Sequence, residues 1–167
     1  MVSKQVELAK ALAYYAHDGQ MYGKFNYVNQ HVVDVVNRVD QHTTLCGYEF
    51  REQCLIVAWL HDVAEDSQIT INTIEDLFGY IIADSVWAIS KTCLIIDGSG
   101  TGIPYRTSKP KYRDYIKRVK EDDIARIVKI CDTMSNLEFS KNVNDYKRIE
   151  KYANQLKLLV EPECTTT

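Results

Sequence analysis

Apolar positions recur with a helical period along most of the chain. In residues 3–17 they fall at Leu8, Ala9, Leu12, Ala13 and Ala16, which predicts an opening helix. Gly19 to Asn26 is polar and glycine-bearing and reads as a loop. Val28, Val32, Val35, Val36 and Val39 follow at i, i+4, i+7, i+8 and i+11. Valine favours strands, but this spacing is helical and decides for a helix. The run Cys54 to Leu60 fits a buried strand or a buried helix. Polar Arg51-Glu-Gln extends it to helix length, and no second strand-like run exists to pair with it, so a central helix is expected. Residues 72–78 and 80–91 predict two shorter helices parted by Gly79, and 93–110, with Gly98, Gly100, Gly102, Pro104 and Pro110, a long loop. Asp122 or Asp123 caps a helix whose apolar face is Ile124, Ile127, Val128 and Cys131. A last helix turns Ile149, Tyr152, Ala153, Leu156 and Val160 to one side. The expected architecture is one all-α domain over residues 1–167, a compact bundle of seven or eight helices.

Composition narrows the function. Apolar residues are 46% and charged residues 26% of the 167, the make-up of an ordinary soluble globular chain. The formal charge of −3 excludes a chain-wide basic surface and with it an extended nucleic-acid track. Cys54 to Leu60 is the longest purely apolar run, too short to span a bilayer, and the N-terminus lacks the apolar block of a signal peptide. A cytoplasmic protein with no membrane partner is expected. The five cysteines form no CxxC pair and read as reduced thiols.

The chemistry begins at His61-Asp62, at the end of the most apolar segment. Two such groups are costly to bury without partners. An imidazole nitrogen and a carboxylate oxygen are both ligands for a divalent transition metal. They can converge on one ion at a helix end if the last turn is irregular. His31 lies on the valine face of its helix. Asp132 follows Cys131 and lies four residues after Val128, so it too extends an apolar face. His31, His61, Asp62 and Asp132 thus form a two-His, two-Asp set from three helices. Each alone reads as a core polar group or a cap, but all four together would each need separate compensation. Glu65 and Asp66 lie just past the pair, where an acidic turn and a general acid/base reading are evenly balanced.

These residues resemble the HD-domain metal-dependent phosphohydrolases, most closely the hydrolase half of RelA/SpoT-type enzymes and their small single-domain relatives. The resemblance rests on Ala16-His-Asp-Gly-Gln20, Tyr27 before His31, Ala58-Trp-Leu-His-Asp-Val-Ala-Glu-Asp66, Phe78-Gly79, and Val128-Lys-Ile-Cys-Asp132 with Asn136. It spans roughly residues 5–140. It implies an all-α fold and one divalent metal ion, usually Mn2+, on His31, His61, Asp62 and Asp132. Glu65 and Asp66 would act on the attacking water, and Asn136 would lie near the nucleoside. The implied reaction is phosphate-ester hydrolysis of a nucleotide, in this branch removal of the 3′ pyrophosphate of guanosine 3′,5′-bis(diphosphate), ppGpp. The alternatives are hydrolysis of another (deoxy)nucleotide, or nucleotide binding without turnover.

The chain also departs from the family pattern. Tyr22-Gly23 stand where an Arg-Lys pair usually contacts phosphate, with only Lys24 close by. Thr133 replaces an arginine after the metal aspartate, Ser135 a histidine before the asparagine, and Val32 a proline after the first histidine. Tyr27 stands one place earlier than the pattern has it. Candidate substrate contacts are therefore Lys24, Tyr27, Asn136, Arg106 and Arg113, the two arginines lying with Lys109 and Lys111 after the glycine loop. Asp97 to Gly102 could hold phosphate on backbone NH groups, but it lacks a preceding strand and the GxGxxG spacing and reads as a surface loop. Tyr105, Tyr112 and Tyr115 read equally as core, as base-stacking surface or as a homo-oligomer contact.

Overall fold

The structure, a computed structural model, describes residues 3–96 and 103–162. The Asp97–Gly102 phosphate-loop reading and Cys164 lie outside them. Among the described residues the chain forms nine α-helical segments, of which α4 is a single turn. They are α1 (Lys4–Ala16), α2 (Val33–Thr43), α3 (Tyr48–Leu60), α4 (Val63–Asp66), α5 (Ile71–Phe78), α6 (Tyr80–Ile89), α7 (Tyr112–Lys120), α8 (Asp123–Asn142) and α9 (Tyr146–Val160). The all-α architecture is therefore the one expected, with eight helices longer than one turn.

α3 is the central helix. Cys54, Val57, Ala58 and Leu60 are completely buried, and α1, α2, α6 and α8 pack around it. Burial on nearly all sides explains why its apolar run shows no clean amphipathic period. α8 runs alongside α2 and α3 and carries α9 on its outer side. Asp122 caps it, its side chain accepting from the Ala125 N–H. Gly79 joins α5 to α6 at φ +84° and ψ 167°, a conformation essentially closed to residues with a Cβ.

Four local features differ from expectation. The Gly19–Asn26 loop contains a two-residue hairpin, β1 (Met21–Tyr22) and β2 (Phe25–Asn26), turned at Gly23 with φ +62°. Within 93–110, β3 (Leu94–Ile95) pairs with β4 (Tyr105–Arg106). Strands this short have no period-2 signature to detect. Val28–Val32 is a π-helical turn leading into α2, so the helix predicted there starts wide. On α9 the inward face is Tyr152, Gln155, Leu156 and Leu159, while Ala153 and Val160 are exposed. The larger Leu159 takes the buried place against α8, which rotates the face from the one the short apolar residues suggested. Of the three tyrosines, Tyr115 is core, its hydroxyl donating to the Ile89 carbonyl, whereas Tyr105 and Tyr112 are half exposed.

Candidate metal centre

Three elements bring the four proposed ligands together. The π-helical turn carries His31, and its extra width turns Val28, His31 and Val32 into the core side by side. Such turns cluster at functional sites. α3 ends at Leu60, and the backbone bends through His61 and Asp62, with Asp62 at φ −109° and ψ −4° before α4 begins. This irregular turn lets sequence neighbours face one point, which a continuous helix would forbid. α8 supplies Asp132 from mid-helix.

His61 Nε2 lies 3.1 Å from Asp62 Oδ2 and 3.3 Å from His31 Nε2. His31 Nε2 lies 3.2 Å from Asp132 Oδ1. The cross distances are longer, 3.8 Å from His31 Nε2 to Asp62 Oδ2 and 3.9 Å from His61 Nε2 to Asp132 Oδ1. Two donors held at right angles about 2.1 Å from one ion stand about 3 Å apart, so the short contacts have the spacing of adjacent ligands. His31, His61 and Asp62 place one donor each within 4.8 Å of one another, and Asp132 joins them through the two imidazoles.

The surroundings fit a cation as well. His61 Nδ1 lies 2.8 Å from the Ala58 carbonyl and donates its proton there, so Nε2 is the nitrogen turned to the cluster. His31 Nδ1 lies 3.3 Å from Ser135 Oγ in the same arrangement. Asp62 Oδ2 accepts from the Tyr27 hydroxyl. Burial first, then the charge of Asp62, pushes the Tyr27 phenol upward, so it stays a donor. Asp132 Oδ2 accepts from Lys129 Nζ at 2.7 Å and Oδ1 from Asn136 Nδ2 at 2.6 Å.

Charge in the cluster is balanced without an ion. Burial opposes ionisation of Asp132, but Lys129 and His31 outweigh it and hold the carboxyl well below the usual range. Asp62 is held low by His61 and His31 in the same way. Burial would lower His61, yet Asp62, then Asp132, raise it to about 9. The metal-free imidazole is therefore protonated at neutral pH, and an ion must displace that proton. Divalent-ion affinity is expected to rise with pH from about 7 towards 9, up to about tenfold per unit, and then level off. Calorimetry in buffers of different ionisation enthalpy reads the proton released; affinity independent of pH over that window would refute it.

The acidic turn sits beside this cluster. Glu65 Oε2 accepts from the Lys91 N–H at 2.9 Å, and Oε1 lies 3.4 Å from Lys91 Nζ. Asp66 Oδ2 accepts from Gln20 Nε2 at 3.3 Å, and Gln20 Oε1 lies 2.6 Å from Nδ1 of the buried His17. Burial, then the charge of Asp62, pushes the Asp66 carboxyl above its ordinary value.

The expected substrate contacts are scattered. Tyr27 is buried against Asp62, and Asn136 is bound to Asp132 and to the Tyr22 hydroxyl. Arg106 is exposed and donates to the Glu65 and Ser67 carbonyls, fastening β4 to the acidic turn. Lys24 is exposed in the hairpin turn with its ammonium 5.5 Å from the Phe25 ring centroid. Arg113 is exposed in the first turn of α7. Thr133 is fully buried, its hydroxyl donating to the Lys129 carbonyl, which leaves no place for a cation there.

A further cation, Lys129, touches the cluster, and others act on it through charge. Burial lowers the Lys151 ammonium, and the like charges of Lys91, Lys129 and Arg148 lower it further, with Asp132 opposing. Lys91, Lys129 and Arg148 thus act electrostatically on Lys151, and of these cations Lys129 is the one in contact with Asp132, at 2.7 Å. Lys129 had a signal, an apolar-face position three residues before Asp132. Lys91, Arg148 and Lys151 had none, being scattered charges in polar stretches.

No family model matches the chain, and no curated protein matches it. Among solved structures it is similar to a metazoan ortholog of SpoT, described as hydrolyzing ppGpp and playing a role in starvation responses. The TM-score is 0.66 at 22% identity, over 95% of this chain and 84% of that one. The two chains share one fold. The all-α bundle implied by the His-Asp motifs is thus found over nearly the whole sequence, with the motif residues gathered at one site. No described helix is long and apolar enough to cross a membrane.

Proposed function

We propose that the protein is a metal-dependent phosphohydrolase acting on a nucleotide, with ppGpp as the first candidate substrate and Mn2+ as the first candidate ion. The observation that carries this reading is the meeting of His31, His61 and Asp62 at ligand spacing, with Asp132 joined to them 3.2 Å from His31, and each of the four side chains in a further hydrogen bond or polar contact. His31, His61, Asp62 and Asp132 would hold the ion. When bound, the ion supplies a Lewis acid for a phosphoryl oxygen and lowers the pKa of water.

The chain's own groups divide the remaining work. Both carboxylate oxygens of Glu65 are engaged by Lys91, so Glu65 orients. Asp66 is held through one oxygen only among the described residues, and its raised pKa suits it to accept the water's proton. Lys91, Lys129, Arg148 and Lys151 offset the substrate's phosphate charge. The protein would work in the cytoplasm, as a monomer or a homo-oligomer.

One observation favours the second reading, hydrolysis of another (deoxy)nucleotide. Neutral Tyr22 occupies the hairpin position and buried Thr133 the α8 position where the resemblance expects cations. A single screen separates the readings. The manganese-loaded protein is expected to release pyrophosphate from ppGpp, at a rate compared directly with deoxynucleoside triphosphates, cyclic nucleotides and nucleoside monophosphates. Faster turnover of a deoxynucleotide selects the second reading. Metal-loaded protein inert towards the whole panel would end both.

A further inference from the structure

We propose that Tyr22 is a positioning residue of the metal centre, acting on His31 through its ring and on Asp132 through the side chain of Asn136. The inference rests on reading His31, His61, Asp62 and Asp132 as metal ligands. Nothing in the sequence marks Tyr22 for this role, since it lies in a polar turn far from α8 in the chain.

Three contacts define the arrangement. The Tyr22 ring stacks on the His31 imidazole with centroids 5.2 Å apart and an interplanar angle of 26°. Its hydroxyl donates to Asn136 Oδ1 at 2.8 Å. Asn136 Nδ2 then donates to Asp132 Oδ1 at 2.6 Å and to the Asp132 carbonyl at 3.0 Å.

The polarity of this relay is fixed by chemistry. Asn136 Nδ2 faces two oxygens of Asp132, the carboxyl Oδ1 and the backbone carbonyl, and a carbonyl oxygen only accepts, so the amide must turn its NH2 towards them. The amide oxygen then faces Tyr22, and only a donor can satisfy it there. The Tyr22 phenol is that donor, 2.8 Å from Asn136 Oδ1. Asp132 Oδ1 is the oxygen that stands 3.2 Å from His31 Nε2. Tyr22 therefore fixes two ligands from different elements, the ring setting the plane of one and the relay aiming the oxygen of the other.

The anchor is firm although the hairpin is short. Two paired residues per strand give little stability of their own. Tyr22 is held instead by Phe139 on α8, with ring centroids 4.3 Å apart. Asn136 and Phe139 lie one helical turn from each other, so one stretch of α8 seats both the ring and the hydroxyl.

The test uses the full chain, with Mn2+ titrated into Tyr22→Phe, Tyr22→Leu, Asn136→Ala and the Tyr22→Phe/Asn136→Ala double variant. Free ion is read by electron paramagnetic resonance, and metal-free thermal melting is recorded alongside. Tyr22→Phe is expected to weaken Mn2+ binding about tenfold, as for other groups that orient metal ligands. Tyr22→Leu, which also loses the ring, should be weaker still. The double variant should bind no worse than Asn136→Ala alone, because both changes cut one relay. A merely structural tyrosine would lower the melting temperature and leave the affinity untouched, which would overturn the proposal. Effects that multiply in the double variant would overturn the relay. A wild-type protein that binds no divalent ion would overturn the metal-centre reading together with this one, whereas tight wild-type binding matched by Tyr22→Phe overturns this one alone.

Discussion

His61→Ala is expected to abolish divalent-metal binding and, with it, nucleotide hydrolysis. His61 Nε2 has the shortest contact among the four proposed ligands, 3.1 Å to Asp62, and is also 3.3 Å from His31. Removing a residue that only orients a ligand typically costs 10–100-fold in metal affinity, so losing the ligand itself should exceed about 100-fold. The fold should survive, because the side chain lies at the end of α3 and not within its run of buried apolar residues. Equilibrium dialysis against Mn2+, with circular dichroism as the folding control, measures the effect. A folded His61→Ala protein with wild-type affinity would remove His61 from the site.

Lys129→Met is expected to give the largest loss of stability in the metal-free protein. Lys129 and Asp132 are both nearly inaccessible, with side-chain exposures of 8% and 7%, and their charged atoms are 2.7 Å apart. Burial works against the ammonium, but Asp132, Tyr115 and Asp62 raise it well above its ordinary value, so it remains charged. Methionine keeps the unbranched stem, one atom shorter, and leaves the Asp132 carboxylate buried without its cation. Breaking a buried pair from one side costs about 3–5 kcal/mol. At about 2–4 °C per kcal/mol for a chain of this size, melting should fall by roughly 10 °C in EDTA. Mn2+ should recover part of the loss by restoring positive charge beside Asp132. The deficit should also shrink as pH falls through the carboxylate range. Asp132 has a depressed pKa in the folded wild type, so the stability it contributes is present at neutral pH and lost on protonation. Calorimetry in EDTA, repeated with Mn2+, checks both parts; melting within the error of wild type in EDTA would refute the pairing.

The four proposed ligands were legible because each breaks an apolar pattern from within. His31 sits among inward valines, His61-Asp62 closes the most apolar run, and Asp132 follows Cys131 on a buried face. In the structure His31, His61 and Asp132 are buried, and Asp62 shows only its edge. The groups that fix them were less legible. Lys129 had only its place three residues before Asp132 to suggest its burial. Tyr22 reads as part of a polar turn, and its contact with Asn136 spans 114 residues of sequence. A side chain that works across such a separation leaves no local period. Arg106 shows the converse, since its position in a basic cluster suggested substrate and the structure has it donating to two backbone carbonyls.

The sequence by itself determined the donor types and most of the helices and their inward faces, because burial of apolar residues at a 3.6-residue period is a local property; α7, the single turn α4 and the inward face of α9 were not read from it. The tertiary structure alone decided which donors meet. The packing of α3 against α2 and α8 brings atoms from three segments to within 3.1–3.9 Å. It also buries Lys129 against Asp132 and carries Tyr22 onto His31. Spacing along the chain sets which way a side chain points from its own element, and only the packing of elements sets what it points at.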